Sequence, residues 1–196
     1  MLKQLSVIAI ALLATQANAA IGKPFVDVGL GQATFKDACS GGSLFGGVVS
    51  CEDKDTFFRV GAGVMIDPTF SAEASYHDFG EAVYTEKSSS AKVDANTQAQ
   101  ALALQVGAYA PIAQNLNVYG KLGVAFAKLE FASIAKDPLG TVIISSDDYE
   151  VEAIVTAGAS YNVLPNIGLN VQLDYVPNVG TEEDLTAISA GLKYQF

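Results

Sequence analysis

Apolar and polar residues alternate along most of the chain with a period of two, which is typical of β-strands. The C-terminal segment shows it most clearly, since every second residue is apolar in Ile188, Ala190, Leu192, Tyr194 and Phe196. The Ala- and Gln-rich stretch 96–110 also suits a helix, but Gly107 and the distance to Pro111 favour a strand. Eight segments with the strand pattern follow one another, at residues 26–31, 58–66, 70–77, 101–108, 116–129, 148–161, 167–176 and 185–196.

The connections between these segments alternate in length. Short turns fall at 67–68, 111–115 and 164–166, whereas longer stretches rich in Ser, Gly and charge fall at 36–55, 80–95, 132–147 and 177–184. Short turns at one end and long loops at the other are typical of up-and-down outer-membrane barrels. Because an open sheet edge is too costly in lipid, such a sheet must close. We therefore predict an all-β fold, an eight-stranded antiparallel up-and-down transmembrane β-barrel.

Composition agrees with this fold and excludes others. Of 196 residues, 50% are hydrophobic and 16% are charged, with 18 Gly. The low charge excludes a disordered chain, and the lack of any apolar run of about 18 residues excludes a spanning helix. The net charge of −10 argues against nucleic acid as a partner. Outward aromatic residues are expected near the long loops at Phe58, Tyr76, Phe126, Tyr149 and Tyr175, and near the short turns at Phe70, Tyr161, Tyr194 and Phe196.

Residues 1–19 have the pattern of a secretory signal peptide. Lys3 precedes an apolar core from Leu5 to Ala14, and Ala17-Asn18-Ala19 is a small-x-small cleavage site. A buried N-terminal helix is the alternative. Removal of this segment takes away Lys3 and leaves a net charge of −11, from 10 basic and 21 acidic residues. We therefore expect one barrel domain at residues 20–196, exported through the periplasm to the cell outer membrane.

Export also decides the chemistry of the two cysteines. Cys39 and Cys51 are the only cysteines and reach an oxidising compartment, so we expect them to form a disulfide. Two cysteines without a neighbouring His cannot close a zinc site. The acidic run at residues 182–184 does not match the spacing of a calcium loop. The sequence therefore predicts no metal and no cofactor.

Three parts of the chain resemble a known family. They are the signal peptide, the run Ala72-Glu73-Ala74-Ser75-Tyr76-His77-Asp78-Phe79-Gly80-Glu81, and the terminal Gly191-Leu192-Lys193-Tyr194-Gln195-Phe196. The chain resembles the small eight-stranded outer-membrane barrels of Gram-negative bacteria, which include the membrane domain of outer-membrane protein A and the opacity-type porin-like proteins. The resemblance covers the mature chain and implies that Tyr194 and Phe196 act as a signal for the barrel-assembly machinery. Since the chain stops at Phe196, we expect no periplasmic peptidoglycan-binding domain.

Charged residues at inward positions are the first candidate site. Charges in a narrow lumen must pair or stay hydrated, so we expect an ionic and hydrogen-bonded plug, with a small ion pathway as the alternative. Asp27 and Lys193 lie at similar depth on the first and last strands, and we expect them to pair. Inward glycines leave room for these side chains. The predicted plug comprises Asp27, Arg59, Glu73, Lys121, Glu150, Glu152, Asp174 and Lys193.

His77-Asp78 is the one His–carboxylate neighbour in the sequence. Some outer-membrane enzymes use a His with Ser or Asp to cleave or transfer acyl groups. Adjacent residues of a strand point to opposite faces, so His77 and Asp78 should not meet. Ser75 shares the face of His77, but no orienting acid is evident. We interpret His77 as a bystander near a loop and predict no enzyme.

The long-loop end carries most of the acidic residues. They suit solubility and divalent-cation bridging to lipopolysaccharide, or recognition of a cationic partner or host surface. The sequence predicts a non-enzymatic outer-membrane protein with a structural or surface-interaction role, such as envelope integrity, adhesion or ligand contact. A narrow porin-like channel is the alternative, and a lipid-modifying enzyme is a distant third. The acidic residues at the long-loop end are Glu52, Asp53, Asp55, Glu81, Glu86, Asp94, Asp137, Asp147, Asp148, Glu182, Glu183 and Asp184.

Overall fold

A computed structural model describes residues 22–36, 38–39, 48–88, 92–137, 140–179 and 183–196. The predicted signal peptide at residues 1–19 lies outside the described residues. Within the described ranges, no helix is long and apolar enough to cross a membrane. The described chain is almost wholly extended, as the alternating pattern predicts. Its nine strands are β1 Lys23–Lys36, β2 Val48–Glu52, β3 Lys54–Met65, β4 Phe70–Lys87, β5 Lys92–Ala113, β6 Leu116–Asp137, β7 Gly140–Leu164, β8 Ile167–Val179 and β9 Glu183–Gln195.

The sheet closes into a ring of eight antiparallel strands. β1 pairs with β3 on one side and with β9 on the other, where the register runs from Phe25 opposite Gln195 to Lys36 opposite Asp184. β2 pairs with β4 beyond the end of the β3–β4 pairing, so it extends the edge of β3 rather than adding a ninth member to the ring. Every strand of the ring thus finds two partners, which confirms the predicted barrel.

The two faces of the barrel differ in polarity. Outward apolar side chains remain exposed, as at Val106 and Leu122, where lipid would cover them. The aromatic side chains predicted to face outward do so, and Tyr76, which is half-buried, is the least exposed of them. The inner face is polar at mid-height and apolar nearer the long-loop end, where a layer is formed by Phe35, Phe57, Phe79, Ile154 and Val176.

Two of the predicted long loops are strand hairpins. β4 and β5 remain paired up to Lys87 opposite Lys92, and β6 and β7 up to Asp137 opposite Gly140. Backbone hydrogen bonds between strands form with or without lipid against the sheet. The pairing therefore continues beyond the apolar band, the part of the barrel whose outer face contacts lipid, although the alternation of apolar and polar residues fades there. A bulge at residues 78–80 bends β4 at this level. Gly80 adopts φ +74° there, and a Cβ would lie 2.3 Å from Asp55 Oδ2, so this position requires glycine.

Candidate functional site

Four charged side chains form a compact cluster in the middle of the barrel. This ionic cluster consists of Asp27, Arg59, Glu73 and Lys121, each at most 5% exposed. Arg59 Nη1 donates to Asp27 Oδ1 at 2.6 Å and lies 3.8 Å from Glu73 Oε1. Lys121 Nζ donates to Glu73 Oε2 at 2.5 Å. Two cations therefore neutralise two carboxylates where desolvation would make any unpaired charge costly.

A glycine of β3 makes room for this cluster. A Cβ on Gly61 would lie 2.8 Å from Asp27 Oδ1 and 3.0 Å from Glu73 Oε1. Any larger residue would push the two carboxylates away from Arg59. Gly61 thus leaves room for inward charged side chains, as the sequence analysis expects of inward glycines.

A second hydrogen-bond network on the inner face is centred on Asp174. Asp174 accepts from Thr156 Oγ1 at 2.6 Å and from Gln172 Nε2 at 2.7 Å. Thr156 Oγ1 in turn accepts from Gln105 Nε2 at 2.9 Å, and Tyr119 donates to Gln172 Oε1 at 3.2 Å. Asp174 is therefore held by hydrogen-bond donors rather than by a cation. Sequence reasoning missed the neutral members because it selected inward charges alone, although all occupy inward positions.

The predicted pair of Asp27 and Lys193 is wrong. The two residues are opposite each other in the β1–β9 register, but Arg59 rather than Lys193 binds the carboxylate of Asp27. Lys193 Nζ instead lies 3.8 Å from the centre of the Phe25 ring and donates to Tyr109 OH at 3.4 Å. Cation–π contact replaces the ion pair because the side chain runs toward the short-turn end.

Glu150 and Glu152 also differ from the buried cluster. They lie four and two residues from Ile154, toward the long-loop end, and both are half-buried. The apolar layer that includes Ile154 lies between them and the ionic cluster. The predicted plug is therefore divided along the barrel axis. The ionic cluster is buried, whereas Glu150 and Glu152 form a more accessible acidic part nearer the long-loop end.

His77 faces the inside of the barrel, as the alternation predicts, and it lies in the apolar layer rather than beside a loop. Its interpretation as a bystander stays a prediction. Its ring is fully buried beside Phe57 and Phe79, and its Nε2 lies 2.9 Å from Ser75 Oγ. Asp78 belongs to the opposite face, as predicted. Nδ1 has no hydrogen-bond partner in the described part of the chain. The Ser75–His77 pair therefore lacks the acid that orients the histidine in a hydrolytic triad.

Beyond the apolar band, four strands of the ring continue as one sheet, and β2 pairs with β4 at one edge of it. The long-loop end of outer-membrane barrels faces the outside of the cell, so we call this the extracellular sheet. Its ring strands comprise residues 80–87, 92–99, 129–137 and 140–149. Within it, residues 141–149 of β7 pair with β6 only, because β8 joins β7 from Val155 opposite Tyr175 onward. In the described ranges no strand covers the other edge of β7 at residues 141–149. The side chains there are exposed, with Val142 at 59%, Ile143 at 70% and Ile144 at 56%.

The predicted disulfide is confirmed, between Cys39 and Cys51. Cys51 lies on β2, opposite Tyr84 of β4, so the bond ties the connection after β1 to the extracellular sheet. Free cysteines are absent from the described ranges. The bond thus anchors one side of the sheet whose other side is the open edge of β7.

Most of the predicted acidic residues whose side chains the structure describes lie at the surface of this end of the barrel, with Glu86 as an exception. Glu86 is buried and accepts from Tyr84 OH at 3.1 Å, and Glu182 lies outside the described residues. A hydrogen bond from Tyr175 OH at 2.9 Å lowers the pKa of Asp184, as does one from the Asn178 backbone. Lys92 lowers the pKa of Asp94 by a hydrogen bond at 2.5 Å. Both carboxylates are therefore ionised at neutral pH.

A closed antiparallel ring with an apolar outer surface, aromatic borders and a polar interior defines a transmembrane β-barrel of the outer-membrane type. The profile of the OmpA-like transmembrane domain matches residues 21–196, and the chain belongs to that family. The protein is accordingly an outer-membrane protein. Together with the fold, this match confirms the resemblance drawn from the sequence.

Solved structures with the same architecture share little sequence with this chain. Ail of Yersinia pestis, in complex with the heparin analogue sucrose octasulfate, is 16% identical, with a TM-score of 0.56 over 89% of this chain and 99% of Ail. Neisserial surface protein A is 16% identical, with a TM-score of 0.53 over 88% and 97%. OprG of Pseudomonas aeruginosa is 15% identical, with a TM-score of 0.53 over 89% and 96%. No curated protein sequence matches the chain. At these identities the likeness shows the fold alone.

Proposed function

We propose that this protein is a non-enzymatic surface-interaction protein, and that its extracellular sheet binds an extended, cationic segment of a partner. The observation that carries the proposal is the open edge of β7 at residues 141–149. The outer N–H and C=O groups of an uncovered edge accept an added strand, and neighbouring side chains give such binding its specificity. Val142, Ile143 and Ile144 offer an exposed apolar run for that purpose.

Charge favours a cationic partner over a second copy of this chain. Asp147 and Asp148 follow the apolar run on β7. The side chain of Asp147 is 60% exposed, and Lys128 Nζ lies 3.8 Å from its Oδ2. Two β7 edges placed side by side would bring these carboxylates together, whereas lysine or arginine side chains would pair with them. Ail was solved with a polyanion, but the acidic character of this end argues against that ligand class here.

A pair of synthetic peptides tests the proposal. One alternates Lys and Val over about eight residues, the length of a typical strand, and the other alternates Glu and Val. Titrated against the protein in phosphatidylcholine nanodiscs, the cationic peptide should shift backbone amide resonances of β7 and the acidic one should not. Its affinity should fall as salt rises.

Charge-reversal variants separate this edge from general attraction to an acidic protein. The double variant D147K/D148K should weaken peptide binding by about tenfold or more, a change equivalent to about 1.4 kcal/mol. The control E52K reverses an exposed charge on β2, at the far side of the sheet, and should change binding less than about twofold. Equal effects of the two changes, or equal binding of both peptides, would contradict the proposal. A dimer that I143K abolishes would assign the edge to a second copy instead.

The interior supports a closed, non-catalytic barrel in the same proposal. The side chains of the ionic cluster and of the apolar layer are buried inside the barrel, and the Ser75–His77 pair lacks an acid among the described residues. Purified refolded protein should therefore show no steady openings in a planar lipid bilayer, whereas steady openings would favour the channel alternative. Mass spectrometry of lipid A should find the same species with H77A as with the natural protein.

The two ends of the chain have roles in export and assembly in this proposal. Residues 1–19 act as the cleaved signal peptide. Tyr194 and Phe196 lie on the outer face of the barrel at its short-turn rim, with their rings 4.9 Å apart. That exposed pair supports recognition by the barrel-assembly machinery. After insertion, the outer face contacts membrane lipids, and the acidic long-loop end contacts lipopolysaccharide through divalent cations.

A further inference from the structure

A cavity of about 430 Å³ opens at the short-turn end of the barrel. The short turns of such barrels face the periplasm, so we call this cavity the periplasmic mouth. Its volume lies within the usual range for small-molecule sites. Lys193, Tyr109 and Met65 line it together with polar side chains from the turns and strand ends.

Lys193 differs from the other interior cations. Arg59 and Lys121 each bind a carboxylate of the ionic cluster. Lys193 Nζ is 3.4 Å from Tyr109 OH and 3.7 Å from Met65 Sδ, and no carboxylate of the described residues forms a salt bridge with it. Cation–π contacts with Phe25 and Tyr109 hold the ammonium group in place without neutralising it. A positive charge is therefore presented to the mouth.

The rest of the lining is largely polar and contains one further cation. Lys23 is exposed at the rim, and Asn117, Asn162 and Ser160 add neutral polar groups. Asp67 is the one acidic residue of the lining, and its Oδ1 already accepts from the backbone N–H groups of Thr69 at 2.6 Å and Phe70 at 2.8 Å. A chain with a net charge of −10 thus has a locally cationic mouth.

We propose that the periplasmic mouth binds an oxyanion, a phosphate or carboxylate group, with Lys193 Nζ as its charged donor. Amide NH₂ groups and a hydroxyl complete the set of donors that such an anion needs. The site lies at the opposite end from the extracellular sheet and is independent of the function proposed for that sheet. The phosphate group reaches the mouth either as a soluble ion or as the headgroup of an inner-leaflet lipid, and both present anionic phosphate oxygens.

Inorganic phosphate is the probe that tests the site. It is titrated against isotope-labelled protein in phosphatidylcholine nanodiscs, with chloride replacing it to hold ionic strength constant. Amide resonances of residues 109, 162 and 193 should shift and saturate. K193M should weaken binding about tenfold or more, because a charge-assisted hydrogen bond is lost. K54M removes an exposed lysine at the other end and should change binding less than about twofold.

A second variant guards against misfolding of K193M. N162D keeps Lys193 but adds a negative charge to the lining, so it should also weaken phosphate binding. Shifts that rise without saturating, or equal affinity in K193M and the natural protein, would overturn the proposal.

Phosphatidylcholine nanodiscs with and without phosphatidylglycerol distinguish the two sources, because choline neutralises the phosphodiester of the first lipid whereas the headgroup of the second is anionic. Shifts that appear with that lipid before any phosphate is added would identify a headgroup as the source of the anion. Shifts that need added phosphate in both kinds of disc would identify a soluble anion.

Discussion

Replacing Arg59 with methionine would remove the charge that holds two buried carboxylates inside the barrel. Asp27 and Glu73 are 3% and 5% exposed, and Arg59 also donates to Asn170 at 3.3 Å. Methionine fills much of the same space, so the main effect is electrostatic. Removing one partner of a buried ion pair costs about 3–5 kcal/mol. We therefore expect R59M to lower the free energy of unfolding by about that amount, which is at least about a hundredfold in the equilibrium constant.

Urea unfolding of protein folded into lipid vesicles measures this loss, by far-UV circular dichroism or tyrosine fluorescence because the chain has no Trp. K54M serves as the control, since Lys54 is exposed and its loss should cost less than about 0.5 kcal/mol. The double variant R59M/D27N should recover part of the loss, because it leaves no unpaired charge on Asp27. A loss below about 1 kcal/mol in R59M, or a double variant no more stable than R59M, would refute the reasoning.

The other predictions concern the periphery of the barrel. C39S should lower the free energy of unfolding by about 2–3 kcal/mol in the chain-entropy model, and thiol labelling of the unfolded, unreduced natural protein should find no reactive thiols. The lowered pKa of Asp184 means that its stabilising contacts are complete at neutral pH and are lost as the pH falls below about 4. A carbon-13 NMR titration of its carboxyl should therefore have a lower midpoint than in Y175F, and equal midpoints would contradict this. F196S should reduce the amount of protein assembled in the outer membrane while leaving urea unfolding of refolded protein within about 1 kcal/mol, and normal assembly would remove the role given to Phe196.

The interior charges show where sequence reasoning stops. Alternation places Asp27, Arg59 and Lys193 on the inner face, and the structure agrees for all three. Proximity in register suggested that Asp27 binds Lys193, but Arg59 reaches the carboxylate from β3 and Lys193 turns toward the mouth. Both partners are near neighbours of Asp27 in the sheet, so the choice depends on side-chain direction and on the space left by Gly61.

The sequence pattern also did not predict how far the paired strands extend past the lipid-facing band of the barrel. Residues 80–87 and 140–147 lack alternation because lipid covers neither face there, yet their backbones stay paired. The open edge of β7 follows from that extension together with the later start of the β8 pairing. Neither feature has a local signature, since both depend on where neighbouring strands end.

The eight strands of the ring, their facing, the closure and the disulfide followed from the amino-acid order, whereas β2 did not. Each of the four rests on a local period, on the cost of open edges in lipid or on the redox compartment. Partner choice in the lumen, the open edge and the cationic mouth emerged only once the strands were assembled. These features depend on contacts between residues far apart in the chain, and the tilt and stagger that bring such residues together belong to the closed ring and to no single strand.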